Sequence, residues 1–330
     1  MFIPMKIAGL GMALGDKVID NDWFVKELGL DTSDEWITER TGIKKRYFLS
    51  DPDKALSYIG AKSARQALEM AGVKPEDVDL VICATFTPDY QMPATACLIK
   101  EEIGAKNAGA YDMQIACSGF VYALINAASM VASGMFKNVL IVAGDVISRF
   151  LDFEDRGTCI LFGDGAGAAL ITQAENGEGI FAVEVGADGS APEKLLIPAG
   201  GSARPASEET VKNKEHYLRM NGREIFRFSV NVVPQTMKLL LEKSGLSKEE
   251  VDLWILHQAN IRIIEAAAKR MGVPMSKMYN TIAEYGNISA GTIPITMYEA
   301  YKNNVLKRGS ILGLIGFGGG LSWGGLILRF

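Results

Sequence analysis

Four cysteines and two histidines are all the thiols and imidazoles that the chain has to work with. No cysteine pair shows C-x-x-C spacing, so neither a zinc ribbon nor a dithiol redox motif is indicated. Cys117 stands apart because of its surroundings, Tyr111-Asp-Met-Gln-Ile-Ala-Cys-Ser-Gly-Phe120. A helical pattern follows at once, with the apolar stripe Val121, Leu124, Ile125, Ala128 and Val131. The sulfur is thereby expected at a helix N-terminus, where free N–H groups and the positive dipole end favour thiolate, the nucleophilic form. Ala116, Ser118 and Gly119 are small enough to let a substrate reach the backbone. The competing reading is a small buried hydrophobe. That reading is preferred for Cys83 in a strand-like run, Cys97 in a helical pattern and Cys159 ahead of an apolar run.

His257 follows the apolar run Leu253–Leu256 and precedes Asn260, a good N-cap for a helix over Ile261–Met271 that closes at Gly272. It therefore falls at the carboxyl end of a buried strand, where open α/β sheets place their ligands. The alternative is a capping turn. His216, amid the charges of Lys212–Arg219, reads as solvated. Asn287, in Tyr285-Gly-Asn-Ile-Ser-Ala-Gly-Thr-Ile-Pro294, is either a turn residue or a polar group delivered to a site. The run Gly316-Phe-Gly-Gly-Gly320 could supply backbone N–H donors to a developing oxyanion. Cys117, His257 and Asn287 thus each sit where a strand or loop hands over to a helix.

These residues need a scaffold that brings distant segments together. Leu80–Ala84, Val139–Ala143, Asp252–Leu256 and Ile311–Ile315 read as buried strands, alternating with helical patterns at Leu56–Met70, Gly119–Ala132 and Ile295–Asn303. Such alternation argues for α/β layers. Ala71-Gly-Val-Lys-Pro-Glu-Asp-Val-Asp-Leu80 aligns without a gap on Ser244-Gly-Leu-Ser-Lys-Glu-Glu-Val-Asp-Leu253. A weaker echo pairs Gly163–Ala168 with Gly316–Leu321. Together they indicate an internal duplication, with halves at 1–174 and 175–330. Ala174–Gly179 would be the connection and Lys194–Lys214 an excursion from the second half. Cys117 and Asn287 would hold roughly corresponding places, brought together around a pseudo-dyad.

Length and composition agree with this scheme. The 330 residues suggest about two domains. With 48% hydrophobic and 22% charged residues, the chain has a core to bury, which excludes disorder. A net charge of −5 gives no general reason to expect nucleic-acid binding. No apolar run reaches a membrane span, and two histidines make a His-rich metal site unexpected. The start Met1-Phe2-Ile3-Pro4-Met5-Lys6 lacks the features of a signal peptide, so a cytoplasmic location is expected. Gly9-Leu-Gly-Met-Ala-Leu-Gly15 is one residue too long for a dinucleotide loop and opens no apolar helix.

At these residues the sequence resembles the thiolase-fold condensing enzymes, most closely the 3-oxoacyl-[acyl-carrier-protein] synthase III family. The resemblance is carried by Glu35-Trp-Ile-Thr-Glu-Arg-Thr-Gly-Ile43, Ala116-Cys-Ser-Gly-Phe120, Asp155-Arg-Gly-Thr158, Leu161-Phe-Gly-Asp-Gly-Ala-Gly-Ala168, His257-Gln-Ala-Asn-Ile-Arg-Ile263, Tyr285-Gly-Asn287 with Ser289-Ala290, and Phe317-Gly-Gly-Gly320. Ile288, where Thr is usual, and Gly291, where Ala is common, depart from the pattern without touching Cys117, His257 or Asn287.

The resemblance implies two pseudo-symmetric halves in a layered α-β-α-β-α core and a two-stage reaction. Cys117 would accept an acyl group from a short acyl-CoA. Malonyl-[acyl-carrier protein] would then lose carbon dioxide, with a neutral His257 and Asn287 stabilising the enolate, and the backbone N–H groups of Cys117 and Gly319 would hold the oxyanion. CoA contacts are implied for Thr32, Trp36, Arg40, Arg156, Gly222, Ala259 and Asn260, with Trp36 and Arg156 on the two faces of the adenine. Acyl carrier protein would dock on Arg223, Arg227, Arg262, Lys269 and Arg270, which could otherwise be an ordinary solvated face. Met92 would lie near the acyl pocket, of this subunit or its neighbour in a homodimer. Neither cofactor nor metal is implied. Two other classes remain open: a relative using another acyl acceptor or CoA-bound malonate, and a non-catalytic acyl-CoA binder. The second is disfavoured because all three catalytic positions are filled.

Overall fold

The computed structural model describes residues 2–330. Its N-terminal sheet is built from β1 (Lys6–Leu14), β2 (Leu80–Ala84), β3 (Gly109–Met113), β4 (Val139–Val146) and β5 (Asp164–Thr172), in the order β1-β5-β4-β2-β3. The second sheet contains β6 (Gly179–Ala187), β7 (Leu253–Leu256), β8 (Ile311–Gly318) and β9 (Ser322–Arg329), with the short strand Ile3–Pro4 added at its edge, in the order Ile3–Pro4, β6, β9, β8, β7. In each sheet an antiparallel pair leads to a parallel pair: β4 with β2, and β8 with β7. The chain is thus a thiolase-like α/β fold of two pseudo-symmetric halves.

Period-two patterning builds the layers. Leu80, Ile82 and Ala84 join the central core, whereas Val81 and Cys83 join an outer one. Likewise Leu253 and Ile255 face inward, while Trp254 and Leu256 face the opposite outer core. Between the sheets lie helices α3 (Gly119–Ala132) and α6 (Thr292–Lys302), whose Phe120, Leu124, Ile293 and Met297 are fully buried. Burying each such side chain stabilises the fold by about 1.5–3 kcal/mol. Outside, α2 (Leu56–Ala71) covers the first sheet, and α4 (Gly222–Ser244) with α5 (Ile261–Met271) covers the second. The short helix α1 (Asp34–Thr41) belongs to a separate cluster at one end.

The aligned repeat segments fall on equivalent pieces, with α2 and α4 ending at Gly72 and Gly245 before β2 and β7. The weaker echo does not. Gly163–Ala168 opens β5, whereas Gly316–Leu321 ends β8 and turns into β9. Both are glycine-rich because backbones approach closely there, which is reason enough for the likeness. The Gly9–Gly15 segment is mostly strand, since β1 runs through Leu14.

Candidate active site

Cys117 sits in a single 3-10 turn, Ala116–Ser118, immediately before α3, as the helix-start reading expected. Ala116 has φ 45°, a left-handed conformation uncommon for a residue with a side chain. The turn is seated against the end of β8. A Cβ on Gly318 would stand 2.9 Å from the Cys117 sulfur, so only glycine leaves the nucleophile its space. Burial pushes the thiol up to about 12; contact with the Ser289 hydroxyl and the N–H groups of Cys117 and Gly319 works the other way. At neutral pH the resting group is a thiol.

His257 leaves the end of β7 and is 2% exposed. Burial pushes its pKa down to about 3, so the ring is neutral across the physiological range. Phe317 packs edge-on at 5.1 Å between centroids. His257 Nδ1 lies 2.7 Å from Thr292 Oγ1, which is also 2.9 Å from the Ser289 carbonyl. Two more side chains of the His-Gln-Ala-Asn turn also tie the fold together. Gln258 bonds the Leu256 carbonyl and the Thr281 N–H, while Asn260 caps α5 and donates to the Arg40 carbonyl at 3.0 Å.

Asn287 follows Gly286, whose φ of 64° and ψ of −156° suit glycine. Its Oδ1 accepts from the Ser289 N–H at 2.8 Å, leaving the Nδ2 amide as the donor available to the site.

Cys117, His257 and Asn287 converge at the foot of one cavity of about 220 Å³. Trp36, Arg40, Gly222, Ala259 and Asn260 line the same space. The Arg40 and Arg156 guanidiniums lie 4.5 and 4.8 Å from the Trp36 ring centroid, and Arg156 is also held by the Asp31 carbonyl. Thr32 lies outside the lining, with a buried Oγ1 that has no partner among the described residues. A second cavity, of about 330 Å³, opens on the other side of Cys117. Gly319 lines it together with Phe86, Phe162, Leu195, Ile197 and Leu218. The excursion after Lys194 is therefore a wall of this site, a role for which its Leu195-Leu196-Ile197 run was the available signal.

Met92 lines neither cavity and is 86% exposed. Cys97 lies on a helix as expected, but on its exposed side, so it is not the buried hydrophobe the pattern suggested. His216 is half-buried rather than solvated, with Nε2 2.9 Å from Thr210 Oγ1. Arg223 and Arg227 on α4 and Arg262, Lys269 and Arg270 on α5 are exposed and form no salt bridge among the described residues. Thr292 and Asp145 were not singled out by sequence, and Ser289 only as part of the resembling motif without a role, because what matters about them is what they touch. Among the described residues no cluster of His, Cys, Asp and Glu could hold a metal ion, and no helix is long and apolar enough to cross a membrane.

A buried thiol, a neutral imidazole and an amide at the foot of a cleft in a thiolase fold define an acyltransferase of the condensing class. Residues 111–189 match the family model described as 3-oxoacyl-[acyl-carrier-protein] synthase III, and residues 241–330 match its C-terminal model. Beta-ketoacyl-[acyl-carrier-protein] synthase III of Desulfitobacterium hafniense Y51 is 45% identical over 99% of this chain and 98% of its own. The crystal structure of 3-oxoacyl-[acyl-carrier-protein] synthase III from Aquifex aeolicus VF5 is 42% identical, covers 99% of this chain and 100% of its own, and superposes with a TM-score of 0.90. The priming beta-ketosynthase of the R1128 polyketide pathway is 32% identical over 99% of this chain and 97% of its own, with a TM-score of 0.90. The chain belongs to the 3-oxoacyl-[acyl-carrier-protein] synthase III family.

Proposed function

We propose that this chain condenses the acyl group of a short acyl-CoA with malonyl-[acyl-carrier protein], releasing CoA and carbon dioxide and giving the 3-oxoacyl-[acyl-carrier protein] that starts type II fatty acid synthesis. One observation carries the residue assignment: Cys117, His257 and Asn287 meet at the foot of a cavity on which Trp36 and Arg40 also open. The acyl carbonyl is attacked by Cys117, and its oxyanion is held by the N–H groups of Cys117 and Gly319, both of which counter the rise of the thiol pKa. Loss of CoA leaves an acyl-enzyme, whose acyl chain occupies the second cavity.

The malonyl thioester then enters the vacated cleft. Its oxygen takes hydrogen bonds from Asn287 Nδ2 and His257 Nε2, so decarboxylation yields a stabilised enolate and no base is needed. A neutral His257 can donate from Nε2 only when Nδ1 carries no proton. Thr292, with one hydroxyl proton and two acceptors in reach, must therefore give it to Nδ1 rather than to Ser289. The enolate carbon attacks the acyl-Cys carbonyl and Cys117 is released.

Adenine enters between Trp36 and Arg156 by displacing the guanidinium that now covers the ring. Arg40 meets phosphate and Thr32 the nucleotide, while Gly222, Ala259 and Asn260 form the pantetheine channel. Acyl carrier protein, an acidic partner, docks on Arg223, Arg227, Arg262, Lys269 and Arg270 beside the mouth. A division at 174/175, cytoplasmic location, the absence of a cofactor and homodimerisation belong to the same proposal. The dimer is supported by the edge position of β3 and by exposed Tyr90 and Met92, just ahead of a helix whose Thr95 N–H bonds Asp112 of β3 at 2.7 Å. Met92 then reaches an acyl pocket only across that interface.

The test is product formation from a panel of short acyl-CoAs with malonyl-carrier protein or malonyl-CoA. The proposal expects 3-oxoacyl product and labelled carbon dioxide with the carrier-bound extender. Equal use of malonyl-CoA would favour the CoA-extender alternative, and no product with any starter would overturn the assignment.

A further inference from the structure

The proposed oxyanion site draws one N–H from each half of the chain, Cys117 from the first and Gly319 from the second, so something must fix the two together. Strand pairing does not reach far enough. The β8–β9 ladder ends with Gly318 opposite Ser322, which leaves Gly319 as the first residue of the turn between them. A glycine outside a ladder keeps wide freedom in φ and ψ unless a neighbour holds it. The Cys117 turn packs against this segment. A Cβ on Gly318 would stand 3.4 Å from the Cys117 backbone nitrogen, and one on Gly319 would stand 3.4 Å from the Cβ of Ala116. The hydrogen bonds that tie the two segments come from a pair of serines.

Ser118 and Ser322 are both fully buried, and they come from opposite halves. Ser322 opens β9, and its hydroxyl lies 2.8 Å from the Gly319 carbonyl oxygen and 3.4 Å from that of Ile115. The Ser118 hydroxyl lies 3.1 Å from that of Ser322. Ser118 stands at the head of α3, where a serine ordinarily turns its oxygen onto the first free N–H groups of the helix. Ser118 makes no such bond. Each hydroxyl has one proton, and one arrangement uses both: Ser118 O–H donates to Ser322 Oγ, and Ser322 O–H donates to the Gly319 carbonyl, the nearer of its two acceptors. The bonds therefore run from the residue after the nucleophile to the residue that carries the second oxyanion donor.

We propose that Ser118 and Ser322 are positioning residues that set the distance between the two oxyanion donors. This rests on the acyl-enzyme reading above and deepens it at the same site. Neither serine lines either cavity, so neither meets the substrate. They act through Gly319: with its carbonyl tied down, its N–H stays in register with that of Cys117 as the tetrahedral oxygen forms. Donors fixed before the charge develops need no reorganisation at that moment, which is the source of their effect on rate. The clamp serves twice, once when Cys117 attacks the acyl-CoA and again when the enolate attacks the acyl-Cys carbonyl. Removing it leaves both donors present and lets one of them wander.

Ser322→Ala and Ser118→Ala, made singly and together in the full chain, test this. Two reactions of the same sulfur are compared, both followed by mass spectrometry on the Cys117 peptide so that the exposed Cys97 does not enter the reading. Acylation by acetyl-CoA passes through an oxyanion, whereas alkylation by iodoacetamide does not. Ser322→Ala should slow acylation about 10–30-fold at saturating acetyl-CoA and leave alkylation within about twofold. Ser118→Ala should slow acylation about fivefold, and the double variant no more than Ser322→Ala alone, because the two act through one series of bonds. Acylation within about twofold of the unmodified chain in Ser322→Ala would overturn the clamp. Equal slowing of both reactions would also overturn it, since that marks displacement of Cys117 itself. If Ser322→Ala does not fold, Ser118→Ala decides by the same two criteria. If acetyl-CoA never acylates the unmodified chain, the functional reading fails. The clamp is then judged with p-nitrophenyl acetate, an activated ester that passes through the same oxyanion without recognition of CoA.

Discussion

The turn that carries Cys117 and the turn that carries Ser289 are one backbone device used twice. Each is a three-residue 3-10 turn whose first residue is left-handed, Ala116 at φ 45° and Ser289 at φ 46°, and each runs directly into a helix of the central layer. The separation in sequence is the same as that between the repeat segments that begin at Ala71 and Ser244. Their side chains differ completely. The position equivalent to Cys117 is Ala290, so the second copy has no nucleophile. In its place the second turn and the residue after it reach outward: the Ser289 N–H donates to Asn287, and Thr292 Oγ1 pairs with His257 Nδ1. The two halves share the geometry, and on the proposed mechanism the labour is divided between a turn that carries the acyl group and a turn that organises its partners.

Removing the nucleophile breaks this division most severely. Cys117→Ala should lower acyl transfer by a factor on the order of 10⁴–10⁶, read by quenched-flow assay. On the organising side, Asn287→Ala should leave Cys117 acylation within a few-fold while cutting carbon dioxide release on the order of 10²–10³-fold. Measuring both half-reactions in both variants shows whether the labour is divided as described.

Thr292→Val should lower condensation about tenfold or more and spare acylation, with Thr292→Ser restoring most of it. With only two histidines in the chain, ¹⁵N-histidine spectra can follow the ring directly. His257 should show Nε2 protonated and Nδ1 bare, a pattern disturbed by Thr292→Val. Trp36→Ala should raise KM for acyl-CoA about tenfold with kcat little changed.

The smallest effect concerns stability. The His257 pKa is about 3 in the fold against 6.5 when unfolded, so it contributes no pH dependence above pH 6.5. As pH falls below that value the unfolded chain binds a proton that the fold refuses. Stability then drops, by at most about 1.4 kcal/mol per pH unit. His257→Gln should remove this slope when denaturation curves are compared at pH 6.5 and 5. Asp145, whose raised pKa works in the opposite sense between pH 6 and 3.8, is common to both proteins and cancels from the difference.

Much of this was legible in the sequence. Helix α3 was bounded by its apolar stripe, α5 by Asn260 and Gly272, and β2 and β7 by apolar runs. Cys117, His257 and Asn287 were marked by polar or reactive groups at hand-over points from strand or loop to helix. The His-Gln-Ala-Asn turn had two competing readings, functional and capping. Capping holds for Gln258 and Asn260, which serve the fold, while His257 lines the cleft, where its functional role is the proposal made above. What escaped depends on three-dimensional neighbours. Thr292 looks like an ordinary helix-start residue until His257 arrives from another segment. Asp145 ends an apolar strand, and its isolation becomes visible only when its carboxylate is found in the core. Cys97 had the right helix and the wrong face, because a short amphipathic segment does not show which side is covered.

The central claim is that Cys117 carries the acyl group between two substrates, and intact-mass spectrometry tests it most directly. Incubation with a short acyl-CoA should add one acyl mass, mapped to the Cys117 peptide and absent from Cys117→Ser, and malonyl-carrier protein should then discharge it. No adduct with any acyl-CoA, or an adduct on another residue, would contradict the account.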